Sequence, residues 1–145
     1  MIVGPPENLK HGANEAVFAF LSGKSAHSDI AGPLWYAVKD LPGAVAYCAD
    51  RNNYGYVVVC ANSLAFAFAT GMGGVSLRLP VHVVDQVVAK GGETVPSIGP
   101  DWVYLPLFTS SGFERELTTL AKAAFEHSGP PSNNSFKPKP LRGSA

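Results

Sequence analysis

Leu64-Ala-Phe-Ala-Phe-Ala-Thr70, Gly71-Met-Gly-Gly74 and Val75-Ser-Leu-Arg-Leu79 follow one another without a gap. The first and third stretches alternate at a period of two, and the glycine run between them suits a turn. Strand side chains point to opposite faces in succession, so this pattern predicts a β-hairpin. In the first strand Leu64, Phe66 and Phe68 fall on one predicted face and Ala65, Ala67 and Ala69 on the other. The Phe face reads as a core face, and the smooth Ala face suits a helix lying close against it. In the second strand Val75, Leu77 and Leu79 alternate with Ser76 and Arg78. That strand reads as covered on one side only and close to a sheet edge.

Two further apolar runs lie upstream, Ala44–Ala49 and Tyr54–Cys60. Asp50-Arg51-Asn52-Asn53 and Ala61-Asn62-Ser63 punctuate them as turns, completing a four-stranded antiparallel meander. Trp102–Leu107 reads as a fifth strand, with Trp102 and Tyr104 facing the core and Pro106 marking its end. Helices flank these strands. Residues 7–21 carry apolar side chains at helical spacing up to a stop at Gly23. A weaker helix covers Asp29–Lys39, where Pro33 suits only a first turn. Pro80 opens a short helix to about Lys90, closed by Gly91-Gly92. Ser111 and Glu114 form a capping box, and Phe113, Leu117, Leu120, Ala121, Ala124 and Phe125 then follow an amphipathic helical period up to Gly129. The expected fold is α+β: a four- to five-stranded antiparallel meander with helices on one face and a C-terminal amphipathic helix.

The chain has 145 residues, 46% hydrophobic and 15% charged, which fits one domain with a real core. Residues 1–129 are expected to form it. Residues 130–145 consist mainly of Pro, Ser, Asn and Lys and are expected to be a disordered tail. The balanced charge of 11 basic and 11 acidic residues conceals an asymmetry. Lys137, Lys139 and Arg142 lie in the tail, leaving 8 basic against 11 acidic residues in the body, net −3. An acidic body is a poor electrostatic match for a nucleic-acid backbone. No apolar run is long enough to span a bilayer, and the N-terminus lacks the pattern of a signal peptide, so the expectation is a cytoplasmic protein with no membrane partner.

The order of elements resembles the YjbR/MmcQ domains and the related TfoX N-terminal domains. The residues concerned are Val75-Ser-Leu-Arg-Leu-Pro80 before a helix, and Gly99-Pro-Asp-Trp-Val-Tyr-Leu-Pro106 before the helix Phe113–His127. The resemblance covers about residues 30–128 and implies a double-wing α+β module with DNA-binding-like roles; it carries over no catalytic residue. The tail, Ser132-Asn-Asn-Ser-Phe-Lys-Pro-Lys-Pro-Leu-Arg-Gly-Ser-Ala145, resembles C-termini read through the recombination site of integron gene cassettes. That implies a mobile bacterial gene.

Several candidate motifs have stronger structural readings. Gly23-Lys24-Ser25 echoes the end of a phosphate-binding loop, but Phe18 stands where its earlier glycine is needed. Gly71–Gly74 leads into a strand, so no helix dipole assists an anion there, and a hairpin tip is the better account. His27-Ser28-Asp29 holds the residue types of a hydrolase triad without its geometry, and Ser28 or Asp29 reads as a helix N-cap. His11, His27, His82 and His127 are not spaced as metal ligands, and His127 suits a helix C-terminus. Cys48 and Cys60 read as buried free thiols on strands. No cofactor or metal is expected. Two residues remain for partner recognition: Arg78, on the polar face of its strand, and Met72, at the hairpin tip. The sequence supports a non-enzymatic binding or interaction module, with a homodimer through an exposed sheet edge or face as one form. The alternatives are a nucleic-acid-binding double-wing protein, and a small-molecule binder or enzyme with a pocket between sheet and helices.

Overall fold

The computed structural model describes residues 2–49, 55–106 and 112–129. Its strands are β1 (Ile2–Val3), β2 (Val45–Cys48), β3 (Val57–Ala61), β4 (Leu64–Thr70), β5 (Gly74–Arg78), β6 (Glu93–Val95) and β7 (Gly99–Pro106). Its α-helices are α1 (Glu15–Leu21), α2 (Ser28–Val38), α3 (Val81–Ala89) and α4 (Phe113–His127). The fold is α+β. The strands form one seven-stranded sheet in the order β1-β2-β3-β4-β5-β7-β6. All neighbours are antiparallel except β1 and β2. The meander β2–β5 stands as the sequence suggested. The expected four or five strands become seven because β1 and β6 are only two and three residues long, too short to show a period.

Asn62 and Ser63 join β3 to β4 as a two-residue turn, with φ of 55° and 62°. Positive φ at both central residues is what a type I′ turn requires, and its twist matches that of paired strands. Asn14, only 3% exposed, ties this turn to the segment before α1. Its Nδ2 donates to the Leu9 and Ser63 carbonyls, and its Oδ1 accepts from the Ala65 amide, each at 2.9 Å. Both N–H donors of that side-chain amide and one lone pair of its oxygen are thereby occupied.

The Phe66–Phe68 face does not exist as the alternation suggested. Val59 pairs with Ala67 but Cys60 pairs with Ala65, so Phe66 is the extra residue of a β-bulge. One extra residue reverses the phase of everything beyond it. Phe66 therefore joins Ala67 and Ala69 under α2 and α4, where its ring meets Phe125 edge-on at 6.0 Å. Phe68 points the other way, against Phe20 at 5.5 Å and Trp102 at 5.3 Å.

Helices cover both faces, where one was expected. α2, α3 and α4 lie over Val57, Val59, Ala67, Leu77, Val103 and Leu105. α1 lies over Val58, Cys60, Ala65, Phe68 and Trp102. Burial on both sides explains why the choice between Trp102/Tyr104 and Val103/Leu105 had no single answer: Trp102, Val103 and Leu105 are all buried. It also corrects the placement of β5. That strand is interior, between β4 and β7, and the outer strands are β1 and β6.

The helix expected over residues 7–21 is interrupted. Gly12 has φ of +66°, and two 3-10 turns, Glu7–Lys10 and Gly12–Asn14, precede α1. Pro33 stands in the second turn of α2, not the first. The helix continues past it because Ile30, Leu34 and Val38 repeat every four residues and are at most 1% exposed. Burial of such a stripe outweighs the local penalty. α3 follows Pro80 as expected, and Gly91 closes it with φ of +108° while the Gly92 amide donates back to Val87. α4 buries Phe113, Leu117, Ala121 and Ala124 as its period required. Ser111 of the capping box, the turn at 50–54 and the tail from 130 lie outside the described residues.

Candidate functional site

The two residues singled out for recognition sit at opposite ends of β5. Met72 is 63% exposed at the β4–β5 tip, next to Gly74 at the start of the strand. Arg78 ends the strand, about 13 Å further along at ~3.3 Å per residue. The tip is not an open anion nest. The Gly71 amide donates to the Ser25 carbonyl, and the Gly71 carbonyl accepts from the His27 amide at 2.8 Å. Gly74 is needed because a Cβ there would collide with the Leu105 carbonyl across the sheet. This end serves packing: a Cβ on Gly73, beside Met72, would collide with the Tyr104 hydroxyl.

The Arg78 end is different in kind. In β5 the parity that buries Val75, Leu77 and Leu79 under the three-helix layer sends Ser76 and Arg78 toward α1. Arg78 lies opposite Trp102 in β7, and the Leu79 amide donates to the Asp101 carbonyl at 2.7 Å. That register sets the two charged residues together: Arg78 Nη1 donates to Asp101 Oδ2 at 3.3 Å. Their side chains are 16% and 33% exposed. Together they border a cleft of about 260 Å³. Ala13, Ala16 and Val17 line it from the α1 side, Leu64 and Ala65 from β4, and Ile98 and Trp102 complete the walls. Three of these positions are alanine, and Ala13 and Ala16 are exposed, so the cleft opens to solvent on the α1 side.

The ion pair does not satisfy the guanidinium. Arg78 Nε is buried and has no hydrogen-bond partner among the described residues. A buried unsatisfied donor costs about 1–3 kcal/mol, and more when it is charged. Such groups are uncommon and call for a reason. His127, in the last turn of α4, shares the neighbourhood electrostatically. Burial, and then the Arg78 charge, hold its pKa below the ordinary 6.5, while Asp101 pulls the other way. The helix terminus alone favours the charged imidazole, so the sequence-based account of His127 was incomplete: its surroundings favour the neutral form.

Sequence reasoning found Arg78 but missed Asp101 and His127 as its neighbours. They come from β7 and α4, and no spacing in the chain announces their convergence. Trp102 was assigned to the core and does belong there, yet it also forms a wall of the cleft.

Other chemistry-bearing groups stay apart. Burial pushes the Cys60 thiol up to about 12, far from nucleophilic activation. Cys48 pairs with Val57 and Cys60 with Val45, so the thiols are not cross-strand partners. No group of three metal-ligating side chains occurs among the described residues. No helix among them is long and apolar enough to cross a membrane. A wider hollow of about 390 Å³ between α2 and α4 is bordered by Gly32, Pro33, Tyr36, Ala37, Glu114 and Thr118. Among the described residues, the ion pairs involve none of those that border it. Comparison with protein-family models, curated proteins and solved structures gave no match.

Proposed function

We propose that this chain is a non-enzymatic binding module and that its ligand site is the Arg78–Asp101 cleft. The observation that supports this is an incompletely satisfied guanidinium, paired with Asp101, beside a cleft whose other lining side chains are apolar. Ligand sites commonly combine apolar walls with a few convergent polar groups that set orientation. Arg78 and Asp101 are engaged with each other, and the remaining lining residues are apolar, which suits recognition better than bond breaking. The test is calorimetric titration with indole, a small neutral probe with an apolar ring and one N–H donor. The native chain should bind it saturably. Ala16→Met, which fills the cleft, should weaken binding by about tenfold, equivalent to about 1.4 kcal/mol. Unchanged binding in that variant contradicts the assignment of the site.

A second reading is a nucleic-acid-binding double-wing module. What supports it is the sequence of a meander, α3, β7 and α4, which follows the order that the resemblance implies. The net charge of −3 over residues 1–129 weighs against it. A gel-shift series across salt concentration on the full chain decides: salt-sensitive DNA binding would support this reading over the first.

A further inference from the structure

We infer that the cleft takes a zwitterionic α-amino acid with an apolar side chain. This rests on the reading of the Arg78–Asp101 cleft as the ligand site, and it specifies the ligand's chemistry.

Arg78 and Asp101 place one cation and one anion together at the same hollow. A simple carboxylate entering there meets the guanidinium but is repelled by Asp101. A simple amine meets Asp101 but is repelled by Arg78. A zwitterion satisfies both at once, and its net charge of zero matches that of the pair. Charge-assisted hydrogen bonds are stronger than neutral ones, which favours a zwitterion over a neutral amide of the same shape. Asp101 engages Nη1, and Nε is buried out of a ligand's reach, so the remaining N–H groups of the two terminal nitrogens are those a carboxylate can meet. His127, kept toward its neutral form by burial and by Arg78, does not add a second cation near neutral pH.

Size and surface set the rest of the ligand. A cleft of about 260 Å³ is smaller than the roughly 300–1,000 Å³ of drug-sized sites, so it suits a small metabolite. Val17, Leu64, Ile98 and Trp102 present an apolar surface to whatever extends beyond the charged pair. The Trp102 ring is held by its contact with Phe68 and so forms a firm wall. A leucine-like or aromatic side chain fits this description.

The experiment is calorimetric titration of the full chain with L-leucine and three analogues that each remove one element of recognition. These are 3-methylbutylamine, 4-methylpentanoate and 4-methylpentanamide. Leucine should bind at least about tenfold more tightly than any of them, because each analogue forfeits a charge contact. Asp101→Asn should weaken leucine and strengthen 4-methylpentanoate, since the repulsion is gone. Arg78→Met should weaken leucine and 4-methylpentanoate alike. Circular dichroism confirms that each variant is folded, and Asp101→Asn, being nearly isosteric, keeps the test valid if Arg78→Met does not fold. Equal binding of leucine and its analogues, or an unchanged preference in Asp101→Asn, overturns the inference. So does the absence of leucine binding at about 10 mM, well above the millimolar regime of weak complexes. If indole still binds in a manner sensitive to Ala16→Met, only the amino-acid assignment falls. If it does not, the site itself was wrongly placed.

Discussion

The two faces of the sheet are built on different terms. Under α2, α3 and α4 the layer is closed: Phe66, Leu77, Val59, Val103 and Leu117 are all fully buried. Under α1 the layer is closed only over its middle, around Phe68 and Trp102, and it opens toward the Arg78 end. The difference arises from single residues. The bulge sends Phe66 to the three-helix face and leaves Ala65 at the rim of the other. Large side chains on one face supply cohesion, and alanines on the other leave room for a ligand. A layer filled against the sheet contributes stability and leaves no room there; a layer left incomplete against the sheet leaves room at some cost in stability.

The largest effect should come from breaking the closed face. Phe66→Ala removes a fully buried ring and its contact with Phe125, and should cost about 3–5 kcal/mol in denaturant unfolding. A loss below about 1 kcal/mol would mean that the bulge does not place Phe66 in the core. Asn14→Ala tests the anchor of the open face. It leaves the Leu9 and Ser63 carbonyls and the Ala65 amide without their partner, for a loss of about 2–3 kcal/mol. Ser63→Gly sharpens the same region in the other direction. A non-glycine residue at φ of 62° is strained, and Asn-Gly is the preferred type I′ pair, so the variant should gain about 1 kcal/mol. Thermal unfolding reads both variants.

The smallest effect concerns pH. The folded-state pKa of His127 lies below 6.5, so the folded chain takes up this proton less readily than the unfolded chain. Its contribution to stability is therefore intact above 6.5 and declines as pH falls through 6.5 toward the folded value. His127→Gln should flatten the stability curve across that window while leaving it nearly unchanged at pH about 8. An identical slope in the variant would remove His127 from the electrostatics of the Arg78 end.

The sequence made some of this plain and concealed the rest. The meander was legible because turns at Asn62-Ser63 and Gly71–Gly74 separate apolar runs, and α4 was legible because every position agrees with a period of 3.6. β1 and β6 were not, since two or three residues cannot display alternation. The Phe66 reversal was hidden because a bulge leaves no trace in a run of alternating Ala and Phe. β5 looked one-sided because Ser76 and Arg78 are polar, yet Ser76 is buried and Arg78 finds Asp101. Arg78 was singled out for an exposed edge, whereas it ends an interior strand and borders a cleft beside α1. Asp101 and His127 had no sequence signal, because their meeting depends on the β5–β7 register and on where α4 ends.

The most direct test of a ligand site at the open end is a two-dimensional NMR titration of the full chain with L-leucine. The expected shifts fall on the amides of Ala13, Ala16 and Ala65, on the Trp102 indole N–H and on the Arg78 Nε–H. Shifts confined to Tyr36 and Thr118 between α2 and α4, or to Met72 at the far end of β5, would contradict the account.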